Sequence, residues 1–186
     1  MGIQAVIIVI EGCDQAGKQT QAGLLAGALN RKGRKARVFA FPDYTTPVGK
    51  MMKKQLEGRG FEPRVFHCLA AANRWEKAGE IRAASSGGSV AILDRYRQSN
   101  MVYGVLNGLS RRWLAGLDAG LPRADVVILL DIKQKEAFRR KPSGRDPSSG
   151  THHSPSRWQQ NTGGPPRQAG GRLWTRRAQR TRCTAG

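Results

Sequence analysis

"EGCDQAGKQTQ", residues 11–21, follows the apolar run "AVIIVI" (5–10) without a break. A β-branched run of this kind reads as a strand buried on both faces. The residues that follow, "KQTQAGLLAGALNRKG" (18–33), carry apolar side chains at helical spacing, basic residues in the last turn and Gly33 as a stop. A glycine-rich turn ending in lysine therefore sits between a strand and a helix. Glycines let such a turn curl so that several backbone N–H groups point inward, and the helix adds the positive end of its dipole. The combination suits a phosphate group.

The match to the Gly-x4-Gly-Lys-Ser/Thr pattern is partial. Gly12, Gly17 and Lys18 fit, but position 19 is Gln and the hydroxyl comes one residue later, at Thr20. Either Thr20 reaches a Mg²⁺ ion, or the ion is held by phosphates, waters and carboxylates. Candidate nucleotide-holding residues are Gly12, Cys13, Asp14, Gln15, Ala16, Gly17, Lys18, Gln19 and Thr20, with Lys18 bridging the outer phosphates. Asp14 lies where phosphate-facing amides gather, so its carboxylate points to a sugar hydroxyl or a metal-bound water of a second ligand, or else caps the helix. The Cys13 side chain reads as a small filler or a low-pKa thiol.

Composition divides the chain in two. Residues 1–141 carry 24 Lys and Arg against 12 Asp and Glu, a net of +12. Residues 142–186 carry eight Arg against one Asp and contain no Ile, Val, Phe, Met, Tyr, Lys or Glu. We read 1–141 as the folded unit and 142–186 as a low-complexity, disordered tail, of the kind an altered reading frame produces. The overall +19 attracts polyanions, so nucleic acid is expected to meet the tail only non-specifically. Three cysteines without paired spacing indicate neither a disulfide framework nor a zinc site. No signal-peptide pattern and no membrane-length apolar run is read, and a reducing cytoplasm fits best.

Further along, "KARVFAF" (35–41), "SVAILDRY" (89–96) and "ADVVILLDI" (124–132) read as strands, the second of these buried. Helical patterns cover 46–57, 64–85, 97–108, 110–120 and the start of a last helix at 133–141. Continuously apolar strands alternating with helices predict a parallel α/β sheet with helices on both faces.

Five stretches in order, "EGCDQAGKQTQ", "FPDYTTPVGK", "AANRWEK", "LDRYRQSNMVYG" and "LPRADVVILLDI", resemble the thymidylate kinases, a family of P-loop nucleoside-monophosphate kinases. The resemblance runs from about residue 3 to residue 146. It implies a parallel sheet of order 2-3-1-4-5, with the fifth strand missing here and order 2-3-1-4 expected. It implies transfer of the γ-phosphoryl group of ATP to dTMP, with Mg²⁺, in a protein that tends to form homodimers. An inactive truncated kinase-like protein, or a nucleic-acid-binding protein using its basic tail, are the alternative readings.

The resemblance also implies roles. Arg95 clamps the acceptor phosphate, for which a guanidinium fork is suited. Asp94 binds or orients Mg²⁺ and its waters. Arg74 hydrogen-bonds the thymine edge, while Asn73 faces another way and carries no role. Ser99 and Tyr103 close over the base. The family usually stacks an aromatic ring on thymine four residues before that arginine, but this chain has Ala70. Phe66, one turn earlier, either substitutes or base binding is loosened by about 1–3 kcal/mol. Tyr44 stands where many members have a phosphate-binding arginine. Gln15 and Ala16 leave the loop without a cation, so Arg139, Arg140 or Arg145 must supply it, and Arg145 fits the analogy best.

Overall fold

The computed structural model describes residues 5–57 and 61–132. Four strands form one parallel sheet in the order β2-β3-β1-β4: β1 (Val6–Gly12), β2 (Ala36–Ala40), β3 (Val90–Asp94) and β4 (Val126–Leu130). Between them run α1 (Lys18–Arg31), α2 (Pro47–Leu56), α3 (Pro63–Glu76), α4 (Ala78–Ala84), α5 (Arg97–Leu106) and α6 (Arg111–Leu117). This is the expected α/β architecture and the expected strand order.

The alternation of side chains along β1 explains why helices cover both faces. Ile7 and Val9 join Phe39, Ala91 and Leu93 in a core closed by Ala78 and Ile81 of α4, with Tyr96 and Leu121. Val6, Ile8 and Ile10 face the other way and pack with Val90 and Ile92 against Ala22, Ala26, Leu25 and Leu29 of α1. A third cluster, Met52, Phe66 and Ala70, joins α2 to α3.

Register then gathers the strand ends. β1 pairs with β3 through Ile10↔Asp94, and β2 pairs with β3 through Ala40↔Asp94. On the other side Gly12 stands opposite Leu130. The loop after β1 and the turn after β3 therefore leave the same edge of the sheet. A side chain at Gly12 would meet the Leu130 carbonyl oxygen at 2.7 Å, so the closeness of β4 itself requires glycine there.

The helix expected over 64–85 is two helices. The backbone tightens at Lys77, whose N–H donates to Arg74 O at 3.2 Å. Its ammonium is held by Glu80 at 2.9 Å and Asp43 at 3.5 Å. The break lets α4 pack on the sheet while α3 packs against α2 and α5. Among the described residues β4 pairs only with β1, and Val126, Val127, Ile128 and Leu129 are all exposed. The tail and the 133–141 helix lie outside the described residues, and so does the question of a fifth strand.

Arg74 of α3 and Asp118, just past α6, form a buried ion pair at 2.7 Å, with side chains 4% and 5% exposed. Both Nε and Nη2 of Arg74 donate to the same carboxylate oxygen. Removing one partner would strand the other charge in the interior. Asp118→Ala is expected to lower unfolding free energy by about 3–5 kcal/mol, read as a lower urea midpoint at unchanged slope.

Candidate active site

The loop between β1 and α1 brings the first group of residues to the sheet edge. Gln15 has a left-handed backbone with φ of 65°, and Gly17 precedes α1 with φ of 86°. Ala16 is buried beneath the loop, whereas Cys13 and Asp14 are exposed. Lys18 is the first residue of α1, and its buried ammonium donates to Cys13 O at 2.7 Å. Burial, followed by the nearby Arg95 guanidinium, lowers its pKa, while Asp94, Asp14 and Cys13 act in the opposite direction. Gln19 and Thr20 are exposed on the first turn of α1.

The turn after β3 brings the second group. Arg95 has a left-handed backbone, φ 61°, and its N–H donates to Ile10 O at 2.9 Å. The Arg95 guanidinium pairs through Nη2 with Asp14 Oδ1 and donates through Nη1 to Ser99 Oγ at 3.2 Å. The Ser99 hydroxyl in turn donates to Glu11 Oε2 at 2.7 Å. Asp14, Lys18, Asp94, Arg95 and Ser99 thus form one cluster of predicted site residues.

Five buried side-chain polar atoms among the described residues have no hydrogen-bond partner: Gln15 Oε1, Asp94 Oδ1, Tyr96 OH, Gln98 Oε1 and Asn100 Nδ2. All five lie in the β1–α1 loop or in residues 94–100. Among the described residues, buried side-chain polar atoms elsewhere are satisfied, as the cost of leaving them bare demands. The exception marks where polar ligand atoms would complete the structure. Burial pushes the Tyr96 phenol up to about 12, so it stays neutral.

The other predicted residues are more dispersed. Phe66 lies in the α2–α3 cluster, edge-on to His67, with Ala70 beside it in the same cluster. Arg74 is committed to Asp118 through two of its donors. Its charge is felt at the Tyr96 phenol, which places it behind the 94–100 segment. Tyr103 is half-buried on α5, one turn past Ser99. Arg139, Arg140 and Arg145 lie outside the described residues.

Two residues to which the sequence reading assigned nothing hold the site together. Asn73, expected to carry no role, is fully buried. It accepts from Asp43 N at 2.7 Å and donates to Asp43 O, Thr46 Oγ1 and Glu76. That pins the "FPDYTT" loop to α3. The contact has a plain physical cause, because a buried amide must find partners and the loop offers them. Glu11 is the second, buried at the end of β1 and bonded across to α5. Only its place inside the phosphate-loop motif hinted at it.

A loop with left-handed Gln15 and Gly17 after the first strand, a lysine at the next helix start and an arginine at the neighbouring strand end form an arrangement suited to binding phosphate groups. A family model for thymidylate kinase matches residues 10–156. The chain is 40% identical to the thymidylate kinase of Schizosaccharomyces pombe over 141 residues, covering 75% of this chain and 67% of that one. It is 34% identical to that of Homo sapiens over 145 residues, covering 77% and 68%. Among solved structures, thymidylate kinase from Candida albicans superposes with a TM-score of 0.68 at 28% identity, covering 81% of this chain and 73% of that one. The chain belongs to the thymidylate kinase family of nucleoside-monophosphate kinases.

Asp94 provides a test of how much stability the site sacrifices. Burial raises its pKa above the ordinary aspartate value, with Lys18 and Arg95 opposing and Glu11 adding to the rise. The folded protein therefore binds this proton more tightly than the unfolded chain does. That contribution to stability is full below the ordinary aspartate range and is lost as pH rises through the shifted pKa. Asp94→Asn is expected to raise the melting temperature at pH 7 by roughly 2 °C and to flatten its pH dependence across the acid range, followed by circular dichroism.

Proposed function

We propose that the protein transfers the γ-phosphoryl group of ATP to the phosphate of dTMP, giving dTDP and ADP. The observation that carries this reading is the juxtaposition of two cationic groups, Lys18 and Arg95, beside Asp94, whose Oδ1 is unpartnered. Family membership supports the same donor and acceptor. Phosphoryl transfer needs little covalent help from a protein, so catalysis is mostly positioning and charge.

The amides from Gly12 to Lys18 cradle the donor phosphates, and the N-terminal end of α1 favours their charge. Lys18 leaves the Cys13 carbonyl for the outer phosphates of ATP. Arg95 grips the acceptor phosphate through its fork, and Asp14 orients that arginine and a sugar hydroxyl. Ser99 and Tyr103 close over the nucleoside, Arg74 reads the base edge with its remaining donor, and Phe66 stands in for the absent stacking ring. Arg145 supplies the lid cation.

A Mg²⁺ ion fits the donor set. Among the described residues no cluster of three or more His, Cys, Asp or Glu could enclose a metal. The unpartnered Oδ1 of Asp94 is nonetheless a ready oxygen ligand, with Thr20 on the adjacent helix turn. Asp94 and Thr20 would hold such an ion, which would supply positive charge to offset that of the phosphates. Among the described residues no helix is long and apolar enough to cross a membrane. A cytoplasmic site of action suits the substrates.

Coupled measurement of ADP release with dTMP, dUMP, dCMP and AMP tests the reading. Turnover should be highest with dTMP, and no turnover with any acceptor would overturn it. The same assay distinguishes charge from geometry at the acceptor site. Arg95→Lys should lower kcat/KM for dTMP about 100-fold, since an ammonium cannot reproduce a two-point contact with phosphate. Phe66→Ala should raise KM for dTMP about tenfold by removing the ring that stands in for the family's stacking residue.

A further inference from the structure

We propose that Glu11 is a positioning residue that sets the acceptor arginine, Arg95, and ties it to the donor loop. Its carboxylate is 7% exposed and sits between the two halves of the site. Oε1 accepts from the N–H groups of Tyr96, at 3.0 Å, and Ser99, at 3.1 Å. Oε2 accepts from the Ser99 hydroxyl at 2.7 Å, and the Ser99 hydroxyl oxygen in turn accepts from Arg95 Nη1 at 3.2 Å. The guanidinium then closes the circuit by pairing with Asp14 of the donor loop. One residue of β1 thus fixes both the backbone after Arg95 and the side chain of Arg95.

Two further observations show why a carboxylate is needed there. Arg95 holds a left-handed backbone conformation, φ 61°, which carries a steric cost for any residue with a Cβ. Such a conformation persists only when its surroundings over-determine it. Ile10 O holds the Arg95 N–H, and Glu11 holds the next one, at Tyr96. In addition, α5 lacks a cap of its own. Its N-cap residue Tyr96 makes no side-chain cap and its first turn contains no acidic residue. By contrast, α3 is capped by its own Glu62 and α6 by its own Ser110. Glu11 supplies from a different element the acceptor and the negative charge that the start of α5 lacks.

The proposal rests on reading Arg95 as the acceptor-phosphate ligand, so its test needs one arm that requires no substrate. The full chain is compared with Glu11→Gln, Ser99→Ala and the double variant. Glu11→Gln preserves shape and one acceptor but removes the charge and turns the Ser99 hydrogen bond around. Each single change should raise KM for dTMP about tenfold while KM for ATP stays within about twofold. The double variant should be no worse than the poorer single, because both break one link.

In the same proteins, without substrate, the Arg95 Nε–Hε resonance in a nitrogen-15 spectrum should shift in either variant. Singles that multiply in the double, or KM values for dTMP and ATP that rise together, would overturn the proposal. If Glu11→Gln does not fold, Ser99→Ala alone decides it, and an unmoved Arg95 resonance with unchanged KM for dTMP sinks it. Failure of the unaltered chain to turn over dTMP overturns the functional reading instead, while the resonance still tests the positioning role.

Discussion

The parallel register of β1 against β3 is the constraint on which the site depends. It sets Ile10 beside Asp94, so the Gly12–Lys18 loop and the Arg95 turn emerge from adjacent strands at the same edge. Parallel strands need both faces covered, and the alternation of β1 side chains provides two apolar faces, one for α1 and one for α4. A one-residue slip would exchange those faces and separate Arg95 from Asp14. Fold and site are thus consequences of the same pairing.

Around that edge the molecule tolerates several unfavourable features at once. Lys18 and Asp94 are buried charges with perturbed pKa values in opposite senses, each suffering from desolvation. Gln15 and Arg95 hold left-handed backbone conformations without being glycine. Unpartnered buried polar atoms of Gln15 and Asp94 belong to the same loop and strand end. Stability is elsewhere secured by buried pairs such as Arg74–Asp118 and by satisfied amides such as Asn73. Concentration of cost at one edge is what a site complementary to a charged ligand entails.

Departures from the family pattern fall in the loop, at Gln15, Ala16 and Gln19, and around α2 and α3. Ala70 replaces an aromatic ring and lies in the small α2–α3 cluster, where Phe66 is its neighbour. Tyr44 packs against that cluster rather than offering a positive charge. Arg95 is therefore the chief cation of the described acceptor side, and the groups that hold it gain weight accordingly.

The amino-acid sequence alone determined the strands, the glycine-lysine loop and the strand-end arginine, because each is written in a local pattern. Apolar runs such as "VAILD" admit few readings, and glycine spacing before a helical lysine admits fewer. It could not determine the break at Lys77, which depends on Asp43 34 positions earlier in the chain. Nor could it reveal that Arg74 is answered by Asp118, that Asn73 grips a loop, or that Glu11 caps α5. Those partners lie 44, 30 and 85 positions apart in the chain. Hydrogen bonds and ion pairs between buried groups are settled by which side chains meet in space, and only the folded sheet brings these together.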